Sequence, residues 1–115
     1  MPKLNSMNTP NSSPILCGTD FSVNSQKAAD VAAALAVRLG APFQLIHASV
    51  IPASPLTQEH LNQEARRLQK AGVELAAEVV EGDADTVLCQ LAGERHARLL
   101  VVSSLSRRRA VRWLL

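Results

Sequence analysis

Aromatic side chains are scarce in this chain, with two Phe, one Trp and no Tyr among 115 residues. A core assembled from rings is therefore excluded, and the interior has to be built from Ala, Leu and Val. Cysteine is also rare: Cys17 and Cys89 alone cannot make the disulfide framework of a small secreted domain. Each lies inside an apolar pattern and reads as a small buried hydrophobe, which fits a reducing, cytoplasmic compartment. No Cys or His falls at zinc-ligand spacing. No apolar run approaches the roughly 18 residues that span a bilayer, so no transmembrane segment is expected. The net charge of +2 is too small to argue for a nucleic-acid partner. The stretch Met1–Pro14 lacks the apolar core of a secretory signal. Rich in Asn, Ser, Thr and Pro, it reads as a disordered leader over residues 1–13, with Met7 as an alternative start and one domain from Pro14 to Leu115.

What is present is an alternation of apolar strands and helical patterns. Ile15–Thr19 reads as a first strand ending at Asp20, and Ser22 is placed to cap the helix that follows. Ala28, Val31, Ala32, Leu35, Ala36 and Leu39 recur at helical spacing, and Gly40 ends the element where a left-handed residue is needed. Phe43–Val50 reads as a second strand with Phe43, Leu45 and Ile46 inward. Pro52 and Pro55 then interrupt regular structure across a loop. Thr57 is expected to cap a second helix with buried Leu61, Ala65 and Leu68, ending at Gly72. Val73–Val80 alternates apolar residues with Glu74 and Glu78, the pattern of a half-exposed or edge strand. Gly82-Asp83 turns into a third helix carrying Val87, Leu88, Leu91 and Ala92. Leu99–Val102 reads as a strand covered on both faces, with a last helical start running to Leu115. The resulting β-α-β-α-β-α-β order implies a parallel sheet with helices on its faces.

Several segments, in order, resemble the universal stress protein family over Pro14–Leu115. They are Thr19-Asp20-Phe21-Ser22 with the Ala-rich helix and Leu39-Gly40-Ala41 behind it, Leu45-Ile46-His47-Ala48, Gly82-Asp83-Ala84, and Ala97-Arg98-Leu99-Leu100-Val101-Val102. The resemblance implies an α/β three-layer sandwich with a mostly parallel sheet of the adenine-nucleotide alpha-hydrolase-like kind. It also implies five strands, frequent dimerisation and a part in stress response. In one branch it implies ATP binding, with Thr19 and Asp20 at the first strand exit and the Ala48 backbone holding the adenosine. In that branch a glycine motif after the fourth strand holds ribose and phosphates. Here Ser103 and Ser106 occupy its first two glycine positions, and the third would fall beyond Leu115. On this reading the chain is C-terminally truncated, misses the last strand so that Leu99–Val102 becomes an edge, and keeps Thr19, Asp20, Ala48, Ser103 and Ser106 as its ligand-contacting candidates.

Each candidate has a plainer reading beside it. Asp20 is either a ligand contact at a strand exit or a helix N-terminal acid, worth about 0.3–1 kcal/mol through the macrodipole. The Ser103–Arg109 loop is either an anion site or a solvated basic turn. Arg107, Arg108, Arg109 and Arg112 with Trp113, Leu114 and Leu115 form a basic amphipathic end that suits an anionic membrane surface or a protein partner. His47 reads as structural, and His60 and His96 as surface residues. No catalytic triad order, P-loop or dinucleotide fingerprint is present, so the chain reads as a non-enzyme. Two functions remain: a stress-protein-like domain binding ATP, another adenine nucleotide or a small ligand at a weakened phosphate site, or a nucleotide-independent interaction and regulatory module, homodimeric or bound to a protein partner. A non-functional fragment is the third outcome.

Overall fold

The first apolar run, Ile15–Gly18, is a strand (β1) with every residue buried. The computed structural model describes residues 13–103. Within them, β1 leads to helix α1 (Val23–Leu39), strand β2 (Phe43–Ser49), helix α2 (Pro55–Gln69), strand β3 (Leu75–Glu81), helix α3 (Ala84–Glu94) and strand β4 (Leu99–Val101). The strands pair in the order β3-β2-β1-β4, and all three pairings are parallel. The four strands stand beside the five that the family resemblance implies. Strand β3 lies at the margin of the sheet, as the edge reading expects, but it runs over Leu75–Glu81 instead of Val73–Val80, so Glu78 lies in it and Glu74 precedes it.

The helix ends follow from their capping chemistry. Ser22 caps α1 by accepting the Ser25 N–H at 3.1 Å, satisfying a donor that has no partner inside the helix. Gly40 closes α1 at φ 65° and ψ 30°, a left-handed conformation that costs glycine nothing. Asp83 caps α3 by accepting the Thr86 N–H at 3.2 Å. At α2 the cap is Ser54, not Thr57, whose own N–H donates to Ser54 Oγ at 3.1 Å. Pro55 sits at the first helical position, where its missing N–H is harmless, so it starts the helix instead of interrupting structure. That helix ends at Gln69, and a turn follows through Gly72.

Two helices cover one face of the sheet and α3 covers the other. Ile15, Cys17, Phe43 and Leu45 from the sheet pack with Ala29, Ala32, Ala33 and Ala36 from α1 and with Leu61 and Leu68 from α2. Fully burying each larger side chain stabilises the fold by about 1.5–3 kcal/mol. The face of α1 is rotated from the one its sequence pattern suggests: Val31 is 58% exposed and Leu39 41% exposed, while Ser25, Ala29 and Ala33 are buried. Apolar residues surround most of this helix. The face that wins carries the smallest side chains, which let the helix axis approach the sheet. On the opposite face, Gly18 makes room for α3, because a Cβ there would lie 2.5 Å from Leu88 Cδ1.

Three further expectations are corrected. Cys89 is exposed on α3, although Cys17 is buried as expected. In α2 Ala65 is only half-buried, and the third fully sequestered position is Glu64. That carboxylate is held by Arg67, which also reaches Asp30 on α1 at 2.8 Å and so ties the two helices together. Strand β4 is not covered on both faces; Leu99 is 40% exposed at the sheet margin, where β1 is the only neighbour among the described residues.

Candidate functional site

The carboxyl ends of parallel strands are where helices begin and where an open α/β sheet offers a ligand crevice. Here β1 ends beside β2, with Gly18 in register with Ile46 and the Thr19 N–H donating to the Ile46 carbonyl at 2.9 Å. Asp20 follows at the exit and is exposed, whereas Thr19 is 7% exposed. Ala48 lies one residue before the end of β2 and is half-buried. Val101 pairs with Cys17, so Ser103, two residues on, leaves the sheet at the level of Thr19. Thr19, Asp20, Ala48 and Ser103 thus share one end of the sheet. Ser106 lies outside the described residues, as do the arginine-rich end and Trp113.

Asp20 is held by a short cycle of hydrogen bonds. The Ser25 hydroxyl donates to its Oδ1 at 2.6 Å, and the Ser22 N–H donates to the same oxygen at 3.0 Å. In return the Asp20 N–H donates to Ser25 Oγ at 3.3 Å. Partial burial by itself would raise the carboxyl, but the donors from Ser22 and Ser25 outweigh it and hold Asp20 below the usual carboxylate range. Its position just ahead of α1 also sets the negative charge against the positive end of the helix. The result is an ionised, oriented carboxylate at a strand exit, with the Ser25 hydroxyl and the Ser22 N–H both bonded to Oδ1.

A second cluster supports this exit from the α2 side. Phe21 has a left-handed backbone at φ 69°, uncommon for a bulky residue. Its N–H donates to Thr19 Oγ1 at 3.0 Å. Its ring stacks on His47 with centroids 4.4 Å apart and meets the edge of His60 at 5.6 Å. His47 Nδ1 lies 2.8 Å from the Thr19 carbonyl oxygen; a carbonyl can only accept, so Nδ1 carries the proton. His47 thus ties β2 to the turn after β1, and His96 is an exposed turn residue at φ 52°. His60 is exposed but belongs to the cluster through Phe21.

Sequence reasoning missed Ser25 and Phe21. The signal for Ser25 was the Ser22-x-x-Ser25 spacing, which sets a hydroxyl at the third helical position, where a capping partner often sits. Phe21 carried none, because its ring contacts with His47 and His60 cross between elements. Chemistry elsewhere is sparse. Among the described residues, no three His, Cys, Asp or Glu side chains gather as a metal site. Burial, with a smaller push from Glu64, raises the Cys17 thiol to about 12, so it is no nucleophile. No helix among the described residues is long and apolar enough to cross a membrane.

The comparisons with known proteins agree with this fold. The model of the universal stress protein family matches residues 11–115. Protein Rv1636 from Mycobacterium tuberculosis H37Rv is 27% identical with a TM-score of 0.69, over 85% of this chain and 75% of that one. A universal stress protein solved in complex with cAMP is also 27% identical, with a TM-score of 0.71 over 78% of this chain and 71% of its own. A family member from Burkholderia pseudomallei, at 24% identity and a TM-score of 0.70 over 92% of both chains, shares the fold. No curated protein matches the sequence. With the strand exits, the three-layer sheet and a family model covering nearly all of its length, the chain belongs to the universal stress protein family.

Proposed function

We propose that this chain is a ligand-binding member of its family, taking an adenine nucleoside monophosphate or a similarly small adenine ligand at the exits of β1, β2 and β4. The observation that carries the reading is Asp20, ionised and oriented at the end of β1. Its Oδ2 suits a ribose hydroxyl or an exocyclic amine, and the Ala48 backbone supplies the neighbouring polar edge. Thr19 shapes the turn beneath. Binding of cAMP by a relative at 27% identity supports an adenine ligand. A bound small molecule would serve as a signal in a stress-response role, with the chain acting in the cytoplasm, as a homodimer or on a protein partner, and without catalysis.

The phosphate half of the site is weak on this reading. Glycines let backbone N–H groups approach phosphate oxygens without an intervening Cβ, and Ser103 and Ser106 stand at those positions. The serine substitutions also favour the second reading, a nucleotide-independent interaction module. Calorimetric titration of the full chain with AMP, cAMP and ATP separates the two. AMP or cAMP should bind, with ATP no tighter than AMP. Tight ATP binding at micromolar concentration would overturn the weakened phosphate site, and the absence of heat with all three would favour the interaction module.

A further inference from the structure

The buried face of α1 is lined by Ala29, Ala32, Ala33 and Ala36, which carry no side-chain polar atom, and by one hydroxyl residue, Ser25, only 2% exposed. Capping does not require that hydroxyl, because Ser22 Oγ accepts the Ser25 backbone N–H at 3.1 Å whatever side chain position 25 bears. Nor does packing require it, since Ala would suit the helix and the face better. A buried hydroxyl is retained at low cost only where it is paired, and the pairing here is with Asp20 at both ends. The hydroxyl donates to Asp20 Oδ1 at 2.6 Å, and its oxygen accepts the Asp20 N–H at 3.3 Å. This closed ring fixes the backbone and the carboxylate of Asp20 together.

We propose that Ser25 is a positioning residue of the strand-exit site: its hydroxyl pins Asp20 through Oδ1, and thereby presents Oδ2 to a ligand donor. The role toward a ligand rests on the adenine reading above; the hold on Asp20 does not. Removal of the hydroxyl leaves Ser22 to hold the Asp20 carboxylate, its N–H bonded to Oδ1. The carboxylate would then turn more freely and be less well held in its charged form. His47 and His60 against Phe21, Lys27 on α1, Glu59 on α2, Glu81 at the end of β3, and Asp83 and Asp85 at the start of α3 are ionisable groups on the described elements around this end of the sheet. All of them remain in place in the variants below, so a change at Asp20 reports on Ser25.

The test compares wild type, Ser25→Ala and Ser25→Thr in the full chain, reading the Asp20 carboxyl titration by carbon NMR, AMP affinity by calorimetry, and melting temperature as a control. Ser25→Ala should move the Asp20 midpoint upward by about half a pH unit or more. It should weaken AMP binding by roughly three- to tenfold with little change in melting temperature. Ser25→Thr keeps the hydroxyl and should restore both readouts. An unchanged Asp20 midpoint in Ser25→Ala overturns the proposal whatever AMP does. A raised midpoint with unaltered AMP affinity overturns the positioning role toward the ligand. If wild type itself does not bind AMP, the adenine reading falls, while the midpoint still decides whether Ser25 sets Asp20.

Discussion

His47 Nδ1 lies 2.8 Å from the carbonyl oxygen of Thr19, and the same imidazole stacks on Phe21 at 4.4 Å between ring centroids. One side chain on β2 thus holds both the last turn of β1 and the residue after Asp20. His47→Ala removes the donor and the stacking surface at once and should destabilise the chain by about 1–3 kcal/mol. Denaturant unfolding measures the loss. Nitrogen NMR of the wild-type imidazole should show the proton on Nδ1 in the neutral ring; a proton on Nε2 would contradict the bond to Thr19.

Asp20 makes stability depend on pH in a defined direction. Its carboxyl is held below the ordinary value of 3.8 in the folded chain, so the unfolded chain takes up a proton first as pH falls. The stabilisation is complete above the unfolded value and is lost as pH falls through the folded one. The stability difference between wild type and Asp20→Asn should therefore be flat above about pH 5 and shrink progressively below it. At neutral pH that difference should be small, about 0.5–1.5 kcal/mol for an exposed carboxylate whose amide replacement keeps an acceptor oxygen. Unfolding curves at stepped pH provide the check, and a difference that grows in acid would be inconsistent with a depressed carboxyl.

Much of this arrangement could be read from the chain. Ser22, Gly40 and Asp83 mark helix ends through local chemistry that acts within a few residues, and each lies where the sequence places it. Phe43, Leu45 and Ile46 are buried because an inner strand of a parallel sheet is covered on both faces. The rotation of α1 was not legible, since Ala28, Val31 and Leu39 compete with Ala29 and Ala33 and only the distance to the sheet decides. Ser54 was masked by the more conspicuous prolines around it. At the site, Thr19, Asp20, Ala48 and Ser103 share a strand end that topology alone suggests. Phe21 and His47 meet through a contact between elements that periodicity cannot express, and the Ser22-x-x-Ser25 spacing marks a cap without marking the bond to Asp20.

Glu64 and Arg67 illustrate a cost that is invisible in sequence. Glu64 is 6% exposed, and Arg67 holds both its oxygens, at 2.8 Å and 2.7 Å, while pairing with Asp30. The Glu64 hydrogen bonds raise the Arg67 guanidinium further above its already high value. Arg67→Ala leaves a buried carboxylate without its cation and should cost on the order of 2–3 kcal/mol. Adding Glu64→Gln should recover part of that loss, which thermal unfolding of the single and double variants can measure. Equal stability of Arg67→Ala and wild type would show that water compensates Glu64 fully.

The two thiols should differ sharply in reactivity. Cys17 is fully buried with its thiol pushed up to about 12, whereas Cys89 is exposed on α3. Alkylation of the native chain should modify Cys89 alone, and Cys17 only after unfolding. Mass spectrometry of peptides from briefly treated protein distinguishes them. Rapid native labelling of Cys17 would mean that β1 opens far more readily than its burial implies.

The most direct test of the ligand account is amide chemical-shift mapping of the labelled full chain during titration with AMP. The account predicts saturable shifts confined to residues 18–25, 47–49 and Ser103, and their loss in Asp20→Asn with the rest of the spectrum preserved. An absence of saturable shifts at the strand exits, or shifts that persist unchanged in Asp20→Asn, would contradict it.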